Sequence, residues 1–393
     1  MFHTRIDHAL ALTAPVSQLS LPGITYSAVT GRRVLVTGAG GSIGSELVRQ
    51  IARARPSHLT LVDLCEVNLY EIDLALQAMK PRVRWHPCIG DVRDQEGMRH
   101  IVVHERPDIV FHAAALKHVP LLEGSHNLVE AVRTNVAGTK IVCDLCAARG
   151  IDLLLVSTDK AVNPSCAMGL TKRIAEIYVH EAALRHPEAR IGQVRFGNVL
   201  GSSGSVVPLF RRQINNGGPV TVTHPEMTRY LMTIDEAAKL TLAAAGLVRD
   251  GYALYVLDMG DPVNILELAQ RMIAASGLDI PIRIVGPRPG EKLHEELSYP
   301  WEVLCPTAIA GVRRAVPTYD PNPGIHLIDN LLAAAAGRRA RDVRRALVRI
   351  VPEFVGQASL RGTVARLSDG FSDSIAAGLA LSRTAQAISV GPA

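Results

Sequence analysis

With 393 residues, 48% of them hydrophobic and 20% charged, the chain has a globular balance that excludes a disordered or fibrous protein. The formal net charge of +5 is mild for this length and local in origin: Arg338, Arg339, Arg341, Arg344, Arg345 and Arg349 crowd into one stretch against a lone Asp342, so no nucleic-acid partner is expected. No apolar run approaches the roughly 18 residues of a membrane span, and the cysteines suggest no disulfide framework, so no integral span is expected and reduced thiols in a cytoplasmic setting are.

Residues 1–30 read as an N-terminal extension without an assigned role; a signal peptide is not expected, because the first strand begins just after Arg33. RVLVTG reads as a buried strand, GSIGSELVRQIARAR as a helix opened by glycines, and LTLVD as a second strand. The helix NLYEIDLALQAM, a third strand RVRWHPCIGDV ending in Asp91, the helix MRHIVVHERP and a fourth strand DIVFHAAA follow. LVEAVRTNVAGTKIVCDLCAARG reads as one long helix with Cys143 and Cys146 on a buried face. No second cysteine pair or histidine cluster lies near them in sequence, and no metal site is expected. DLLLVSTD is a fifth strand, followed by a helix over 169–185 and a strand RIGQVRFGNVLG.

Strands alternating with helices, each crossover long enough for parallel pairing, predict an α/β fold with a doubly wound parallel sheet and a smaller C-terminal substrate lobe. Residues 31–201 form the expected dinucleotide-binding domain, completed by a strand near 253–260. The lobe occupies 202–300. A segment over 301–354 carries the basic helix, read either as an assembly helix or as a solvated face, and 355–393 reads as a loosely structured tail.

The first strand runs into TGAGGSIG, which offers Thr37, Gly38, Gly41, Ser42, Ile43 and Gly44 for a tight turn against a pyrophosphate at a helix N-terminus. Asp63, ending the second strand, is placed to accept from a ribose 2′-OH and to repel a 2′-phosphate; no Arg follows it, so NAD is preferred, with NADP as the alternative. Asp91 and Val92 are expected near the adenine, and Ala113, Ala114 and Ala115 are small enough to let the cofactor pass. Thr158, Asp159 and Lys160 follow the fifth strand, at the end of a parallel strand where such sheets bind ligands.

The segments TGAGGSIGSEL, VDLCEVNLYEID, GDVRD, FHAAALKHVP, RTNVAGT, STDKAVNP, MGLTKR, RFGNVLGSSGSVVPLF, HPEMTRYLMT and GPRPGEKLHEEL together resemble the polysaccharide-biosynthesis (CapD-like) branch of the extended short-chain dehydrogenase/reductases, over about Arg33 to Pro352. The resemblance implies a Rossmann fold and a UDP-N-acetylglucosamine 4,6-dehydratase with tightly bound, recycled cofactor, in a form without the N-terminal membrane portion of some members, and a homo-oligomer is expected. In the superfamily's Y-x-x-x-K pattern Lys172 matches the lysine, and Met168 stands where the tyrosine would be, which by resemblance points to members that retain configuration at C5. A thioether is neither acid nor base. Met168 therefore shapes the pocket, and proton work moves to the polar set before it. Lys160, with a pKa lowered by burial, is expected to take the C5 proton, and Asp159, with a raised one, to protonate the leaving C6 hydroxyl, an assignment open to reversal. Thr158 is expected at the C4 oxygen and Lys172 at the nicotinamide ribose.

For the substrate, Asn198, Arg229 and Arg288 are expected at the diphosphate. Lys117 and His118 either face the sugar or structure their loop. Asn135 is expected to hold active-site backbone or a water, and Glu291 to pair with Lys292. The rival readings are a sugar-nucleotide epimerase of the same fold and a non-catalytic nucleotide-binding scaffold.

Overall fold

The computed structural model describes residues 26–249, 251–318 and 324–354; the expected tail, and all but the end of the expected extension, lie outside the described residues. Ala28 and Val29 are already buried in the core, so the fold begins before Gly31.

Near-continuous apolar runs form β1 (Arg33–Thr37), β2 (His58–Asp63), β3 (Trp85–Ile89), β4 (Ile109–His112), β5 (Asp152–Val156) and β6 (Ile191–Arg195). The chain then leaves the sheet through β7 (Asn198–Leu200), β8 (Val220–Val222), β9 (Thr228–Arg229) and β10 (Leu231–Thr233), returns in β11 (Tyr252–Leu257), and leaves again in β12 (Val263–Asn264) and β13 (Ile282–Ile284). It finishes the sheet with β14 (Glu302–Pro306) and β15 (Val312–Pro317). The nine strands lie in the order β14-β15-β11-β6-β5-β4-β1-β2-β3. β3 through β11 are parallel, and the pair β14 and β15 is antiparallel at one edge.

Strand residues alternate between two cores. Leu35, Val62 and Leu155 pack with the helices Gln95–Glu105, Thr139–Ala147 and Ala167–Arg185. Val34, Val36, Leu61 and Phe111 pack on the opposite face with Ser42–Arg53, Glu66–Met79 and Ile234–Ala245. Both faces are covered, as a parallel sheet requires. The strand order reverses between β1 and β4, which places the ligand crevice at their carboxyl ends. The lobe has its own core of Val207, Phe210, Ile214, Val220, Leu268 and Met272.

Three elements differ from the sequence reading. RIGQVRFGNVLG is two strands: β6 ends at Arg195, and β7 pairs with β10 in the lobe. A Cβ on Gly197 would sit 2.9 Å from that of Tyr230, so glycine marks the crossing from sheet to lobe. The long helix is broken by a π-helical turn, Val132–Gly138, between Ser125–Ala131 and Thr139–Ala147. The segment expected to carry only the basic helix also supplies β14 and β15. The basic helix Ala340–Ile350 buries Val343, Leu347 and Ile350 in the same core as Ile328 and Leu331 of Ile325–Ala336. Its apolar stripe is thus spent within the chain, and Arg344 donates to the Glu123 carbonyl at 3.0 Å. Among the described residues no helix is long and apolar enough to cross a membrane.

Candidate active site

Gly38 turns the chain at φ +66°, and a Cβ there would meet Ala114 Cα and N at 2.7 Å. A Cβ on Gly44 would sit 1.9 Å from the Gly38 carbonyl oxygen. The turn therefore rests backbone on backbone against the end of β4, which only glycine and small residues permit. The helix Ser42–Arg53 opens here with no side chain capping it, leaving its first N–H groups for an anion. Gly41, Ser42, Ile43, Gly44, Ala113 and Ala115 line a cavity of ≈ 450 Å³ that runs on to the end of β5 and into the lobe. Asp63 accepts from the Gly40 and Cys65 N–H groups, each at 2.9 Å, and so is held at the end of β2. Uncapped helix, glycine turn and strand-end carboxylate fit a dinucleotide.

Other expected cofactor residues take supporting places. Thr37 is fully buried, its hydroxyl 2.7 Å from Nδ1 of His112, whose Nε2 lies 3.1 Å from the Thr139 hydroxyl. Burial and then the Lys172 charge push His112 down to about 3, so this internal chain is neutral. Asp91 is clasped by the Arg93 guanidinium at 2.6–2.9 Å, and Val92 is buried in the core. None of Thr37, Gly38, Asp63, Asp91, Val92 or Ala114 lines the cavity.

At the end of β5, Thr158, Lys160, Met168 and Lys172 all reach the cavity, as do Lys117, Asn198, Arg229 and Arg288. Met168 is buried among Leu122, Ala131 and Cys166 and shapes the wall. Asp159 does not line the cavity. It is fully buried, its Oδ1 takes the Thr158 hydroxyl at 2.8 Å and the Lys160 ammonium at 3.1 Å, and its Oδ2 has no partner. A direct proton transfer from Asp159 to substrate, expected from sequence, therefore has no path; Thr158 and Lys160 stand between.

Lys160 also departs from expectation. Its Nζ donates to Asn198 Oδ1 at 2.9 Å and lies 3.1 Å from Asp159 Oδ1 and 3.3 Å from Glu295 Oε1. An ammonium has three donors and no acceptor, and all three find oxygen here. Burial alone would lower its pKa, but the charges of Asp159 and Glu295 outweigh burial and raise it above the ordinary lysine value. Lys172 goes the other way: burial, opposed in part by the Glu176 charge, brings it down to about 8, and its Nζ donates to the Val156 carbonyl at 2.8 Å.

Glu295 is a residue that sequence reasoning missed. It lines the cavity from the lobe, is 8% exposed, and leaves Oε2 buried without a partner. Nothing but its place in GEKLHEEL marked it. Arg229 is buried beside it, donating to the Thr228 and Leu293 carbonyls at 2.6 and 3.1 Å and lying 3.5 Å from Glu291. Lys292 does not pair with Glu291; it donates to the Val162 carbonyl and to Glu296. Arg288 is exposed at the rim, its N–H held by Glu291 at 3.0 Å. Asn135 sits in the π turn and clamps the Leu116 peptide from both sides, accepting from its N–H at 2.8 Å and donating to its carbonyl at 2.9 Å, which fixes the loop of Lys117. A π turn at a functional site is a recurrent arrangement.

A model of the polysaccharide biosynthesis protein family matches residues 34–315. Capsular polysaccharide biosynthesis protein CapD of Staphylococcus aureus is 48% identical over 274 residues, 68% of this chain and 45% of that protein. UDP-N-acetylglucosamine 4,6-dehydratase (inverting) of Campylobacter jejuni is 32% identical, over 67% of this chain and 76% of that protein. Of solved structures, Pen from Bacillus thuringiensis matches with a TM-score of 0.65 and 30% identity, over 74% of this chain and 87% of that one. The NAD complex of UDP-glucose 4-epimerase from Thermus thermophilus matches with a TM-score of 0.57 and 24% identity, over 68% and 90%. The chain spans less than half the length of CapD.

Proposed function

Because the chain belongs to the polysaccharide biosynthesis protein family, whose members similar to it include sugar-nucleotide dehydratases and epimerases, we propose that it is a UDP-N-acetylglucosamine 4,6-dehydratase with the fold of the extended short-chain dehydrogenase/reductases. The observation that carries this reading is a cavity floor with Thr158 and an ammonium at Lys160, and a thioether, Met168, where a phenol would serve an epimerase. The glycine turn, Asp63 and Lys172 would hold NAD, which supplies reversible hydride storage and so makes the overall reaction redox-neutral. Asp63 favours NAD over NADP, since its charge repels a 2′-phosphate.

The chain's own work is proton transfer. The Thr158 hydroxyl donates to Asp159, so its oxygen is free to accept from a sugar hydroxyl and pass the proton to the buried carboxylate. Lys160, held charged, is assigned the acid role at the C6 hydroxyl rather than the C5 base role. Glu295, a buried cavity carboxylate with an unpartnered oxygen, is assigned the C5 proton. Asn198 and Glu295 hold the ammonium in place. Arg288 and Lys117 supply positive charge for the diphosphate.

Incubation with UDP-N-acetylglucosamine in heavy water tests both levels. The expected product has lost one water and carries deuterium at C5; its C5 configuration decides whether the retention expected from Met168 holds. An isobaric product would establish the epimerase, and bound nucleotide without turnover the scaffold. Lys160→Ala is expected to slow water loss by about 10²–10⁴-fold while C5 exchange continues, and Glu295→Gln to stop exchange itself. The opposite pattern returns the base role to Lys160.

A further inference from the structure

Toward the amino ends of β2 and β3, away from the cavity, a set of nitrogen, sulfur and oxygen donors converges on one carboxylate. The parallel register sets Thr60 opposite His86 and Val62 opposite Cys88, so His58 and Thr60 share a sheet face with His86 and Cys88. The helix Gln95–Glu105 returns over this part of the sheet and ends in His104 and Glu105. The Glu105 side chain is 4% exposed. Its Oε2 faces inward, 2.8 Å from His58 Nε2, 3.1 Å from the Thr60 hydroxyl and 3.9 Å from the Arg33 guanidinium. Its Oε1 lies 2.8 Å from Nδ1 of both His86 and His104. Cys88 Sγ is 3.6 Å from His86 Nδ1, and the donor atoms of His86, Cys88 and Glu105 all lie within 4.8 Å of one another. None of these side chains lines the cavity.

We propose that Glu105, His86 and Cys88 form a binding site for a zinc-class divalent ion that ties the edge strand β3 to the helix behind it. A tetrahedron with bonds of about 2.0–2.3 Å has edges of roughly 3.3–3.7 Å. The separations of 2.8 and 3.6 Å are therefore close to what the ion needs. An imidazole, a thiolate and a carboxylate select zinc, cobalt or nickel over magnesium or calcium, which prefer oxygen alone. Thr60 and His58 hold the far oxygen of Glu105, the kind of supporting bond that orients a metal-binding carboxylate. His86 is 51% exposed, so its ring can turn its proton to Nε2, facing water, and offer Nδ1 to the ion. The Cys88 thiol gives its proton to solvent as sulfur binds. Three protein ligands fill three corners of the tetrahedron, and water takes the fourth.

The test uses the full chain without a polyhistidine tag, stripped with EDTA and titrated with Co²⁺ and Zn²⁺. The expected result is one ion per chain, a thiolate-to-cobalt charge-transfer band, and a melting temperature that rises with Zn²⁺ concentration. Cys88→Ser removes the band, His86→Ala weakens binding, and Thr60→Val weakens it about 10–100-fold. No band and no melting shift in the parent, or binding that persists unchanged in both Cys88→Ser and His86→Ala, overturns the proposal.

Discussion

Lys160 and Lys172 face one cavity, yet their surroundings drive them apart. Two carboxylates raise the first, and burial against a lone carbonyl lowers the second to about 8. If Lys172 works as a positive charge beside the cofactor, kcat/KM falls as pH rises through about 8, because the free enzyme then loses that charge. A pH profile checks this: Lys172→Arg, which stays charged, moves the fall to higher pH, whereas a parent profile flat to pH 9 removes the role. Stability runs the other way. The folded pKa lies below the ordinary 10.5, so between about 8 and 10.5 the unfolded chain binds more protons, and the contribution of Lys172 to stability rises with pH over that window. Thr158 and Lys160 were legible in the sequence because a polar run after an apolar strand announces the end of a parallel strand, and Met168 and Lys172 because their spacing matches the Y-x-x-x-K pattern of the family the chain resembles. The proton affinity of Lys160 was not, since it depends on Glu295, which reaches the same point from a distant loop. The histidines round Glu105 were hidden for the same reason: each is ordinary in its own segment, and only strand register and helix return unite them.

Among elements, the π turn at Val132–Gly138 fixes the cavity wall. It carries Asn135, whose amide satisfies both polar groups of the Leu116 peptide and also donates to the Thr171 hydroxyl at 3.0 Å. Asn135→Ala strands these groups and is expected to cost about 1–3 kcal/mol, read from urea unfolding. KM for the sugar nucleotide rises more than kcat falls, because the Lys117 loop is loosened and the acid and base are untouched. Asn135→Asp keeps the acceptor for the Leu116 N–H and recovers part of the loss; equal loss in both variants would leave Asn135 a mere core filler. An apolar period cannot distinguish this turn from α-helix, which is why the segment read as one uninterrupted helix. β14 and β15 were missed for another reason. Pro306 on the edge strand β14, and Arg313, Arg314 and Pro317 on β15 beside it, obscure the strand pattern, yet proline is what a sheet edge tolerates.

For the molecule as a whole, the two halves of the described chain complete each other. Arg195 on β6, fully buried, pairs with Glu176 and, at 2.7 Å, with Glu302 on β14. The Tyr299 hydroxyl donates to the Ala161 carbonyl at 2.9 Å, directly behind Lys160. The helices Ile325–Ala336 and Ala340–Ile350 then bury Ile328, Leu331, Val343, Leu347 and Ile350 in the core that holds Leu128, Val129 and Val132. The sequence showed a basic helix but not what it packs on, because that partner is a helix from the first half of the chain. Ending the chain after Thr318 removes this cover and exposes the outer side of the segment that carries Asn135. Each side chain lost contributes about 1.5–3 kcal/mol of burial, offset in part by the ordering of two helices. A net loss of about 5 kcal/mol lowers the melting temperature by on the order of 10 °C. Calorimetry and gel filtration of the shortened chain are the check: early melting with self-association is expected, since the uncovered apolar face seeks another surface. A shortened chain that melts with the parent and elutes as it does would make these helices an appendage, with no part in holding the site.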